Sequence, residues 1–170
     1  MSQNEEDILR QLLALEEEKL QYIKKVGEET ASLAKVIGDG DMDGLLTFID
    51  ERQEQLDNME NADVAIRQLL EKLSSGSALL FRLVFNQAMR GGEIGQPLPL
   101  WAEDLRKTLQ AQKELLHSIM SADGDNQVKV AGLLEEVRQQ INAVKKNKNL
   151  VEKYAPNADL PVGSVLNKKE

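Results

Sequence analysis

Hydrophobic residues recur every three or four positions along most of this chain, the spacing that gathers side chains on one face of an α-helix. Ile8, Leu12, Leu15, Tyr22, Val26, Leu33 and Ile37 predict a helix from about Glu5 to Ile37. Gly38-Asp39-Gly40 ends it, because glycine accepts the left-handed backbone of a helix terminus. Asp41 or Asp43 caps a second helix over about 43–73. Its seam is Leu45, Ile49, Leu56, Met59, Ile66, Leu70 and Leu73, interrupted by Arg52 and Asp63. A charge in such a seam fixes register, and it can also mark a contact with another molecule. Ser74-Ser75-Gly76-Ser77 reads as a kink or short break, and a more hydrophobic helix follows over 78–89.

The glycines and prolines of 91–99 form the clearest loop. A helix over about 100–120 carries Trp101, Leu105, Leu109, Leu116 and Ile119. Ala122-Asp123-Gly124-Asp125-Asn126 is either a turn or a weak point within a longer helix. The last helix, to about Tyr154, has Val130, Leu134, Val137, Ile141, Val144 and Val151 along one side. Residues 155–170 contain two prolines and no period, which predicts a flexible C-terminal tail. The pattern therefore implies an all-α fold, an antiparallel bundle of three to four long helices forming one domain over 1–154. Leu45, Ile49, Leu56, Met59, Leu105, Leu109, Val137 and Ile141 are the expected core.

Composition agrees with helices. Of 170 residues, 41% are hydrophobic and 29% charged, a globular balance, and only 4% are aromatic. Strands draw on aromatic and β-branched residues more than this. A formal net charge of -8 opposes nucleic-acid binding, which needs cations facing phosphate, and adsorption to anionic membranes. The sequence has no cysteine, so disulfides, thiolate nucleophiles and zinc-thiolate sites are excluded, and the cytoplasm is the natural compartment. Asn4-Glu5-Glu6-Asp7 is acidic where a secretory signal is basic. The most apolar run, 78–85, is far shorter than the roughly 20 residues a membrane span requires. The expectation is a soluble cytoplasmic protein without membrane insertion.

Few motifs suggest chemistry. Asp39-Gly40-Asp41-Met42-Asp43-Gly44 has the alternating aspartates and sixth glycine of an EF-hand. Its twelfth position is Asp50, not the bidentate glutamate, so a capping turn is the better reading; a calcium-binding regulator is the alternative. Glu114-x-x-His117 has di-iron spacing, yet such centres need a second copy and His117 is the only histidine. Gly91-Gly92-Glu93-Ile94-Gly95 lacks the Lys-Ser/Thr of a phosphate-binding loop. The carboxylates of 16–18 and 135–136 lie on predicted solvent faces, with no base or nucleophile nearby. Lys145, Lys146, Lys148 and Lys153 make a basic patch near a helix C-terminus, which the helix dipole favours. No catalytic residue, metal ligand or cofactor is expected, and the protein is read as a non-enzyme. A plain helical scaffold is a further alternative.

Two regions carry a resemblance. Leu45-Leu46-x-x-Ile49-x-Glu51-Arg52-Gln53-x-x-Leu56-x-x-Met59 is similar to the second-helix pattern of the flagellar export chaperones of the FliT and FlgN type. Asp125-Asn126-Gln127, Leu133-Leu134, Val137, Gln140-Ile141, the basic stretch and Tyr154 resemble their C-terminal third, and 163–169 resembles their ending, with Asn167 where aspartate is usual. The resemblance implies a cytoplasmic chaperone that binds the C-terminal helices of a flagellar axial protein, a hook-associated or filament-cap protein, and delivers it to the export gate or export ATPase complex. It also admits a homodimer. The expected partner-binding residues are Val137, Ile141, Val144, Leu150, Val151, Tyr154 and Arg52. A lysine-rich helix end has few neighbours, which should leave its apolar stripe open near Val144, Val151 and Tyr154, with the second helix as the other wall. Tyr154 could alternatively contact the export gate.

Overall fold

The computed structural model describes the backbone of residues 3–91 and 97–154, and the side chains of these except Met42 and 148–154. The described residues form four helices and no strand: α1 (Gln3–Asp39), α2 (Met42–Leu70), α3 (Ser75–Arg90) and α4 (Leu100–Tyr154). None is long and apolar enough to cross a membrane. The chain divides into two compact units, Met1–Val130 and Ala131–Glu170, where periodicity alone gives one domain through 154. Burial explains the difference: every side chain from Ala131 to Asn147 is exposed. The predicted tail, 155–170, lies outside the described residues.

Local chemistry sets the boundaries. Gly40 takes φ +69° after α1, the region where glycine carries no steric cost. Asp41 caps α2, its Oδ1 accepting from the Gly44 amide at 3.0 Å. A Cβ at position 44 would stand 2.5 Å from Asp41 Oδ2, so a larger residue there would require the capping carboxylate to shift. Ser74 caps α3, and Gly91 closes it at φ +82°, donating to Gln87 O at 2.8 Å. The suspected break at 122–126 is absent, and α4 runs through Gly124.

In the first unit, α1 and α4 run parallel. Gln112 bonds Glu16 and Asn126 bonds Thr30, each across a separation of 96 residues. The same offset aligns Leu9 with Leu105 and Ile23 with Ile119, each pair within one apolar cluster. Buried layers thus recur every seven residues, alternately apolar and polar. Helix α2 is antiparallel to α1 through Lys19–Asp63 and to α4 through Arg52–Asp123. The bundle is therefore mixed rather than wholly antiparallel, because α3 adds a traverse between α2 and α4. With 16 residues, α3 covers about 24 Å. It fills one end of the bundle, where Phe81, Val84 and Ala88 join Leu12, Ile66 and Leu109.

Leu105 and Leu109 are fully buried, as expected, and Leu45 and Met59 are half-buried. Ile49, Leu56, Val137 and Ile141 correct the expectation: they are 47%, 39%, 50% and 49% exposed. On α2 the inward positions are instead Leu45, Phe48, Arg52, Gln55, Met59, Ala62 and Ile66, all buried or half-buried. That stripe keeps Leu45, Met59 and Ile66 of the expected seam and shifts by one position where Phe48 replaces Ile49 and Gln55 replaces Leu56.

Candidate protein-binding surfaces

Arg52 enters the first unit from α2. Its Nη1 and Nη2 donate to Asp123 Oδ1 and Oδ2 at 2.7 and 2.5 Å, and both side chains are largely buried. The Asp123 hydrogen bonds raise the guanidinium pKa, against the cost of burial. Glu29, across from it on α1, is pushed up by burial first and by the Glu51 charge next. Glu29 Oε2 and Gln55 Oε1 are buried without hydrogen-bond partners among the described residues. The seam charge thus has an internal partner, a two-point lock between α2 and α4.

A second feature is a cleft of about 420 Å³ among α1, α2 and α3. Its apolar floor is Ile66, Leu70, Phe81 and Phe85. Glu16 forms one wall, its carboxylate accepting from Gln112 Nε2 at 3.0 Å. Burial raises the Glu16 pKa, while the Gln112 hydrogen bond and the Lys19 charge oppose the shift. Lys19 Nζ donates to Asp63 Oδ1 at 2.5 Å beside it. Arg67 and Arg82 also line the cleft, and both are exposed. Sequence reading passed over this site. Its only trace is the apolar run of 78–85, in which Phe81 is buried and Phe85 opens toward solvent.

The second unit presents a different surface. Leu134, Val137, Ile141 and Val144 follow one another at steps of three and four along α4, and all are exposed. Leu133 beside them is 38% exposed. Lys145 and Lys146 are exposed at the same end. The side chains of Lys148, Leu150, Val151, Lys153 and Tyr154, which the sequence also nominates, lie outside the described residues.

The remaining motifs are solvent-exposed. Glu114 and His117 are exposed on α4, and Asp39, Asp41 and Asp43 are exposed around the α2 cap. No protein-family model, characterised protein or solved structure matches the chain.

Proposed function

We propose that this chain is a cytoplasmic, non-enzymatic export chaperone, similar to the flagellar FliT and FlgN proteins. It binds the C-terminal helices of an axial protein, hook-associated or filament-cap, prevents premature assembly and hands the client to the export gate. One observation supports this above the others: the open apolar stripe of Leu134, Val137, Ile141 and Val144 on α4. An exposed row of aliphatic side chains at helical spacing offers an amphipathic client helix a matching face. Such rows mark partner surfaces more often than idle ones.

The energetics suit a carrier. A client tail that folds on binding spends part of its interaction energy on ordering, which keeps affinity moderate and release accessible. The net charge of -8 keeps free chaperone copies apart while the stripe is unoccupied. The test is gel filtration of the purified full-length chain with the C-terminal segment of a hook-associated or a cap protein, each at about 10 μM, a concentration that detects a micromolar Kd. Co-elution with a gain in total helicity is expected for one of the two. Failure with both overturns the reading.

A further inference from the structure

We infer that the cleft among α1, α2 and α3 is a second binding site, one that takes a peptide segment carrying a carboxylate beside a leucine or phenylalanine. The cleft lies wholly in the first unit and stands independently of the export reading. Its floor, Ile66, Leu70, Phe81 and Phe85, is apolar, and about 420 Å³ of space lies above it. That volume falls within the range of pockets that bury a ligand group rather than merely touch it.

Charge selects the occupant. Three cations, Lys19, Arg67 and Arg82, line the cleft against two carboxylates, Glu16 and Asp63. Glu16 is engaged by Gln112, and Asp63 by Lys19. Arg67 Nε donates to the Asp63 carbonyl within its own helix, and Arg82 has no ion pair among the described residues. Arg67 and Arg82 are thus outside any ion pair among the described residues, at an opening whose lining carries one more cation than carboxylate, on a chain whose net charge is -8. A local excess of cations draws an acidic ligand to this opening although the chain as a whole is negative. Asn86 at the cleft offers both a donor and an acceptor, which fits a peptide backbone rather than a simple fatty anion.

The probe is the acetylated, amidated peptide Glu-Leu-Glu-Glu-Leu-Phe, titrated into the isotope-labelled full-length chain and followed by NMR. Saturable shifts at Ile66, Leu70 and Phe85 are expected. Arg67→Glu with Arg82→Glu should weaken binding by about tenfold or more, since each reversal turns an attraction into a repulsion. The control pair Arg10→Glu with Arg138→Glu carries the same change in net charge at exposed residues that do not line the cleft, and it should cost no more than about twofold. Wild-type shift mapping decides the matter even if the reversed variant fails to fold. Shifts that avoid the cleft, an equal loss in the control pair, or equal binding of the glutamine version of the peptide would each overturn the inference. So would saturable binding of decanoate with none of the peptide, which would make the cleft a site for small apolar anions.

Discussion

Gln112 Nε2 donates to both the backbone carbonyl and the carboxylate of Glu16, at 2.8 and 3.0 Å, inside the seam between α1 and α4. Both residues are about 98–99% buried. Two heptads further on, Asn126 Nδ2 repeats the carbonyl contact at Thr30, at 3.1 Å. A helix carbonyl already accepts from its own helix and recurs at every residue, so the bond that depends on register is the one to the Glu16 carboxylate. Sliding α4 by one heptad would set Gln112 against the apolar layer of Leu9 or Ile23 and take the buried Glu16 carboxylate from its donor, which makes the polar layers a register lock.

Removing one half of this pair should therefore cost more than removing both. Gln112→Leu leaves a buried carboxylate without its donor, at about 1–3 kcal/mol. Glu16→Leu leaves the amide with only the Glu16 carbonyl. The double replacement by leucine should be less destabilised than Gln112→Leu alone, because apolar neighbours of similar shape need no partners. Urea melts of the four proteins check this; additive losses would mean that the two side chains are not coupled.

Glu16 also gives stability a pH dependence. Burial raises its pKa above 4.5, with Gln112 and Lys19 opposing. A raised carboxyl contributes fully below its unfolded-state pKa, and that contribution is lost as pH climbs through the folded-state value. Glu16→Gln keeps an acceptor for Gln112 and does not ionise. Its Tm advantage over wild type should widen from about pH 4 to about pH 8. Glu29 shifts in the same direction but is present in both proteins, so the comparison isolates Glu16. A gap that stays constant with pH would count against it.

Leu109 and Leu56 test where the core runs. Leu109 is fully buried and Leu56 is 39% exposed. Leu109→Ala should cost about 2–5 kcal/mol in a denaturant melt, and Leu56→Ala about 1 kcal/mol or less. Equal losses would restore Leu56 to the seam.

The contrast shows what was legible. On α1, Ile8, Leu12, Val26, Leu33 and Ile37 of the expected face are buried, while Leu15 and Tyr22 are half-buried. The same face holds Glu16 and Thr30, which hydrophobic periodicity passes over. On α2 the large apolar residues surround the helix, so periodicity cannot choose a face. The close neighbours α1 and α4 choose it instead, taking small Ala62 and polar Arg52 and Gln55, while Ile49 and Leu56 are left in solvent. At 122–126 the turn-forming residues lose to tertiary partners: Asp123 is held by Arg52 and Asn126 by the Thr30 carbonyl. Those bonds outweigh the roughly 1 kcal/mol that Gly124 costs a helix interior. The cleft was illegible for another reason. It is assembled from three helices, and no local pattern announces a space between them.

The α4 stripe separates folding from function in one experiment. Val137 and Ile141 are about half exposed, and no described side chain from Ala131 to Asn147 is buried. Val137→Glu with Ile141→Glu should therefore leave the melting transition within about 0.5 kcal/mol of wild type, the usual range for surface changes. If the stripe receives the client helix, two carboxylates placed in that contact should weaken binding of the axial-protein segment by more than about tenfold, since each must be desolvated without a partner. Leu79→Glu provides the control: Leu79 is 68% exposed on α3, outside the stripe, and its replacement should leave binding intact. An axial segment bound equally well by the doubly substituted chain would remove α4 as the client surface. A collapse of the melting transition would instead show that Val137 and Ile141 belong to a core after all.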